Sequence, residues 1–126
     1  MTQEHVFVVL TNPAEGREDE FNDWYDNQHL AEVVAVPGFI SARRYQISPA
    51  QLTGFGGGTH RYLAVYWIEG DAEASMTELA ARLQDGTIDN PPCLNPDDIV
   101  CLTFSAIAPM VFGAAPPSAA LKVATP

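Results

Sequence analysis

The chain has 126 residues, of which 47% are apolar, 10% aromatic and 17% charged. That suits one domain with a single buried core, and it excludes both two full domains and general disorder. Sixteen Asp and Glu against six Lys and Arg give a formal net charge of −10, which argues against nucleic acid and membrane surfaces as partners.

No apolar run approaches the roughly 18 to 20 residues of a membrane span. The N-terminal residues carry no basic flank ahead of the short run Val6 to Leu10, so no signal peptide and a cytoplasmic location are expected. Residues 4–11 read as a strand apolar on both faces, closed by Asn12-Pro13. Residues 15–36 read as a helix. Glu15, Glu18, Asp19 and Glu20 crowd its first turns, and Phe21, Tyr25, His29, Val33 and Val36 recur at helical spacing along one side. Pro37-Gly38 ends it.

Residues 39–48 form a second predicted strand with Arg43 and Arg44 side by side, followed by a Gly-rich loop over 49–59. That loop lacks the Gly-Lys-Ser/Thr of a phosphate loop and precedes a strand, so it is read as a mobile connection. Residues 60–69 make a third strand, with Tyr62, Ala64, Tyr66 and Ile68 on one face and Leu63, Val65 and Trp67 on the other. A second helix over 71–84, a Pro-rich connection over 90–96 and a strand over 99–108 complete a domain spanning residues 1–108. Residues 109–126 read as an Ala/Pro-rich tail. Cys93 and Cys101 form no CxxC pair or ligand cluster and are read as free thiols.

The order β-α-β-β-α-β is the α+β, ferredoxin-like pattern, with a four-stranded antiparallel sheet and both helices on one face. Because the strands are apolar on both faces, the uncovered face calls for a second copy packed against it. The expected assembly is therefore a homodimer.

Phe21-Asn22-Asp23-Trp24-Tyr25-Asp26-Asn27-Gln28-His29-Leu30, running on to Val36-Pro37-Gly38-Phe39 and Arg43-Arg44-Tyr45, resembles the dimeric α/β-barrel superfamily, and within it the EthD-like group. His5, His60 and Tyr25 also resemble the pattern of small polyketide-cyclase and stress-responsive members. The resemblance spans about 100 residues, from the first strand through the fourth, and is more specific for the branch than for any reaction. It implies a homodimeric α/β barrel with a mostly apolar pocket between each sheet and its first helix. Members include cofactor-free cyclases, isomerases, dehydratases and decarboxylases, haem-linked oxidases, and proteins without a known reaction. The fold alone therefore does not choose the chemistry.

His29 lies one turn after Tyr25, so both can reach one ligand. An imidazole exchanges a proton near neutrality, Asp26 is positioned in sequence to orient it, and Tyr25 can donate to a developing oxyanion. The competing reading is that His29 only bonds a backbone carbonyl and closes the helix on the sheet. His5 and His60 open strands one and three, whose starts fall at opposite ends of the sheet, so they form no dyad. Each is read as a strand-end residue or as a pocket-mouth contact. His60 ranks first, because Tyr62 and Tyr66 are expected on its face. Of Arg43 and Arg44 at most one faces inward; Arg43 is the candidate substrate contact, while pairing of an arginine with the acidic first helix is the favoured reading. Trp24 joins these as an aromatic wall.

The three histidines lack metal-ligand spacing, so no metal is expected. The reading is an acid–base enzyme without a cofactor, a lyase, cyclase, dehydratase or isomerase acting on a small apolar, aromatic or polycyclic compound. The alternatives are a non-catalytic binding or accessory protein, and a haem-linked monooxygenase with His29 as axial ligand.

Overall fold

The computed structural model describes residues 3–115 and Ser118. Four strands, β1 (Glu4–Thr11), β2 (Phe39–Gln46), β3 (Tyr62–Glu69) and β4 (Val100–Ser105), form one antiparallel sheet in the order β2-β3-β1-β4. The first helix has three segments: α1 (Glu18–Trp24), a π turn (Tyr25–His29) and α2 (Leu30–Val34). The second is α3 (Ala72–Gln84), capped by the Asp71 carboxylate, which accepts from the Ala74 N–H at 3.0 Å. The fold is ferredoxin-like, as the element order predicts.

The element ends move by a few residues, for local reasons. The helix predicted from residue 15 starts at Glu18, because Ala14 donates to the Cys93 carbonyl and Gly16 takes a positive φ of 76° in a turn. The strand predicted from residue 60 starts at Tyr62, since the ring of His60 is tied to Asp98. The second strand ends at Gln46 and the fourth at Ser105. Residues 109–115 form no regular element, and most of the predicted tail lies outside the described residues.

Period-two alternation splits the sheet cleanly. His5, Phe7, Val9 and Thr11 of β1 and Tyr62, Ala64, Tyr66 and Ile68 of β3 are buried toward the helices. Phe21, Val33, Val36 and Leu79 close the core from the helix side. At the turn after α2, Gly38 has φ 98°, and a Cβ there would collide with the Ser75 hydroxyl, which donates to the Pro37 carbonyl. This close approach explains the Pro-Gly pair. The other sheet face carries Val6, Val8, Leu63, Val65 and Trp67 with no helix or strand of the described residues over them, and Tyr45, Leu102 and Phe104 are exposed. Among the described residues, no helix is long and apolar enough to cross a membrane.

Candidate active site

A cavity of about 80 Å³ lies between the sheet and the first helix. Phe7, Val9 and Thr11 of β1 and Tyr66 of β3 form its floor, and Trp24, Tyr25, His29 and Val33 form one wall. Leu79 and Leu83 of α3 close another side. A strap, residues 85–99, crosses the remaining side and contributes Asn90, Leu94 and Ile99. Cys101 of the edge strand β4 stands at the mouth, beside the partly exposed Leu83 and Ile99.

The strap is anchored along its length. Ile88 and Cys93 are fully buried, Leu94 bridges to Pro13, and the Asn95 N–H donates to the Asn12 carbonyl at 3.1 Å. Asn12 also donates through its amide to the Asp98 carboxylate at 2.6 Å. Near the cavity, the Asp89 carboxylate accepts from Trp24 Nε1 and Gln28 Nε2, each at 3.1 Å.

The π turn sets the two central side chains. The Leu30 N–H reaches back to the Tyr25 carbonyl, one residue further than an α-helical bond, and the widened turn holds Tyr25 and His29. Their rings meet edge to face at 5.1 Å, and the imidazole stacks on the Trp24 indole at 4.2 Å and 25°.

Polar chemistry in this apolar cavity is unbalanced. Among the described residues, neither His29 Nδ1 nor the Tyr66 hydroxyl, both buried, has a hydrogen-bond partner. Burial holds the His29 imidazole down to about pKa 4 despite the opposing Asp89 charge, so the ring is neutral at neutral pH. Burial also pushes the Tyr25 phenol up to about 12, with Thr11 and the Arg44 guanidinium opposing. It pushes Tyr66 up further, reinforced by Tyr25 and Cys101, and raises the Cys101 thiol as well. Both phenols are therefore kept as O–H donors.

Of the residues the sequence singles out, the structure brings together Trp24, Tyr25, His29 and Tyr66. Asp26 is a correction: its carboxylate points away from the His29 ring and pairs with Arg44 at 2.7 Å. The arginine assignment is also corrected. In the β2–β3 register Arg44 opposes Ala64 on the helix side and Arg43 opposes Val65 on the other. Arg43 is exposed, whereas Arg44 lies 4.5 Å over the Tyr25 ring and donates to Asn22 as well as Asp26. The pairing of one arginine with the acidic helix is thus observed.

The remaining three expected contacts lie elsewhere. His5 is buried at the far end of β1, where Nε2–H donates to the Gly70 carbonyl at 2.9 Å and Nδ1 accepts from the Ser105 hydroxyl at 2.8 Å. Both its nitrogens are occupied by the fold. His60 precedes β3 and is held by Asp98 at 3.0 Å, so strand alternation does not carry it into the cavity. Tyr62 packs on Phe21 with ring centroids 5.1 Å apart and donates its hydroxyl to Glu18, away from the cavity.

Thr11, Asp89, Asn90 and Cys101 are site residues that sequence reasoning misses. Thr11 is in phase with Phe7 and Val9, and Cys101 is in phase with Val9 across the β1–β4 pair, so alternation held their signal. Nothing in the sequence marks Asp89 and Asn90, which reach the site through a non-repetitive strap. The two cysteines are unbonded, Cys93 buried and Cys101 exposed.

The cavity does not fit a haem: its free volume is far below that of a porphyrin, and the His29 ring is stacked on Trp24. Among the described residues no group of three His, Cys, Asp or Glu is placed to hold a metal ion.

No family model matches the chain, and no curated protein matches it. Solved structures of the same fold do. An EthD family protein from Bacillus halodurans is 11% identical with a TM-score of 0.55, over 83% of this chain and 99% of that one. A DABB family protein with a ferredoxin-like fold from Mesorhizobium loti is 12% identical with a TM-score of 0.51, over 84% and 99%. NE2512, a protein of unknown function from Nitrosomonas europaea, is 16% identical with a TM-score of 0.52, over 90% and 98%. At such identities the likeness is one of fold.

Proposed function

We propose that this cavity is the active site of a cofactor-independent acid–base enzyme, a lyase, cyclase, dehydratase or isomerase, working as a homodimer. The observation that carries the reading is the pair of orphaned polar atoms, His29 Nδ1 and the Tyr66 hydroxyl, on one otherwise apolar cavity. A buried polar group without a partner costs about 1 to 3 kcal/mol, and two on one cavity are accounted for if a ligand supplies the missing bonds.

Neutral His29 acts as the general base. It takes a proton from an acidified position of the substrate and returns it to a second position or to a leaving group. The oxygen on which charge develops accepts from Tyr66 and Tyr25, whose raised pKa values keep them as donors rather than anions. About 80 Å³ holds two or three waters at about 30 Å³ each, and it is below the roughly 150 Å³ cavity that encloses benzene. The substrate is therefore a small compound, or the reactive end of an aromatic one whose remainder leaves past Leu83, Ile99 and Cys101. A polycyclic body does not fit inside a cavity of that volume. The homodimer is supported by the uncovered apolar sheet face.

Native mass spectrometry of the protein, followed by incubation of any captured compound with wild type and His29→Gln, tests the reading. The expected result is a dimer whose ligand is converted by wild type and at least 100-fold more slowly by His29→Gln. Conversion by the variant at the wild-type rate overturns the catalytic assignment. Capture without conversion by either protein supports a binding or accessory role instead.

A further inference from the structure

Something must fix the plane of the His29 ring, since neither Asp26 nor any other group among the described residues bonds its buried nitrogen. The ring's support is the Trp24 indole, stacked on it at 4.2 Å. An indole alone can swing about its χ angles. Here its Nε1–H is held by Asp89 at 3.1 Å, and the same carboxylate oxygen takes the Gln28 amide at 3.1 Å. Trp24 and Gln28 are four apart on the first helix and flank the start and interior of the π turn, so one strap carboxylate pins both sides of the segment that presents His29. The bonds to a charged acceptor are the stronger kind.

We propose that Asp89 is the positioning residue of the site, holding the Trp24 indole as the platform on which the His29 imidazole is kept against the cavity. The inference rests on the acid–base reading only for its consequence in turnover. The other titratable groups around the ring are Tyr25 on its own helix, Tyr66 from β3 and Cys101 from β4, all uncharged near neutrality. β1 and α3 add only Phe7, Val9, Thr11, Leu79 and Leu83. Asp89 is thus the charge that the ring senses from the packed elements, and its sign favours the protonated imidazole.

NMR of the full chain separates the roles without any substrate. In Asp89→Ala, the ring-current shift that Trp24 imposes on the His29 ring protons is expected to collapse, and the Trp24 Nε1–H resonance to move upfield. Asp89→Asn retains an acceptor, so it should keep the ring-current shift while the fraction of His29 protonated at pH 4.5 falls about two- to threefold. Asp26→Asn should change neither. An unchanged ring-current shift in Asp89→Ala, with the sheet amides intact, overturns the proposal. So does an equal response in Asp26→Asn. The two readings fail separately: if these shifts behave as expected while His29→Gln keeps full turnover, the acid–base chemistry falls and the positioning role stands.

Discussion

His5 and His29 face the same side of the same sheet, yet the fold treats them in opposite ways. His5 has Gly70 and Ser105 on its two nitrogens, whereas the buried nitrogen of His29 has no partner among the described residues. An imidazole with both nitrogens bonded within the chain is a structural tie between β1, β4 and the turn after β3. An imidazole left unsatisfied on a cavity costs stability, and that cost marks a place where the chain is built for something other than its own folding. The two rings teach that burial by itself does not distinguish a functional histidine from a structural one. The completeness of its bonding does.

The largest effect expected from breaking this contrast is at the structural ring. His5→Ala leaves the Gly70 carbonyl and the Ser105 hydroxyl without partners and opens space under β1. It should lower the unfolding free energy by about 2 to 3 kcal/mol in urea titrations. His29→Gln, which ends turnover in the proposed mechanism, should cost far less stability at neutral pH. If the two losses are equal, the contrast drawn here is wrong.

The next effect is a pH dependence. His29 titrates near 4 when folded and near 6.5 as an ordinary imidazole, so between those values the unfolded chain binds the extra proton. Its contribution is fully present above about pH 6.5 and is lost as the pH falls toward 4. The loss amounts to about 2 to 3 kcal/mol. Denaturation of wild type should therefore steepen through that window relative to His29→Gln, in which the group is absent. Parallel curves for the two proteins would show that the ring is better solvated than its burial implies.

The smallest effect carries the most unusual sign. Tyr66→Phe removes a buried hydroxyl that has no partner, so the variant should be as stable as wild type or more stable by up to about 1 kcal/mol. Any acid–base turnover should meanwhile fall by about tenfold or more. A variant destabilised beyond 1 kcal/mol would reveal a hydrogen bond that the Tyr66 hydroxyl makes in solution.

Much of this architecture was legible in the chain. Alternation in residues 60–69 separates that strand's two faces, and the spacing of Phe21, Tyr25, His29 and Val33 marks the buried side of the helix, because both depend on local periodicity; residues 4–11 read only as apolar on both faces. The site was legible only where it rides on those periodic elements, as with Trp24, Tyr25, His29 and Tyr66. Alternation also separates Arg43 from Arg44, but it does not say which of the two points inward. That depends on the register with β3, a long-range property. Asp26 is read as the partner of His29 because it is near in sequence, whereas Asp89, which holds Trp24 and Gln28, arrives from 61 residues beyond Gln28 through a loop that no pattern encodes.

The π turn at Tyr25–His29 carries a consequence for the length of the chain itself. Such a turn is what a regular helix becomes when it gains one residue that its neighbours will not let it expel. Removing a single solvent-facing residue, such as Asn27, would let the helix wind evenly. The segments on either side would keep their mutual phase, because the wide turn already absorbs the extra residue, and the change would fall on the turn itself. Phe21 and Trp24 would stay aligned with Val33 and Val36, but Tyr25 and His29 would stand three positions apart instead of four and lose their present edge-to-face contact, although every side chain of the site would still be there. In this helix the count of residues is itself a determinant of the site, and a homologue one residue shorter here would present a different cavity.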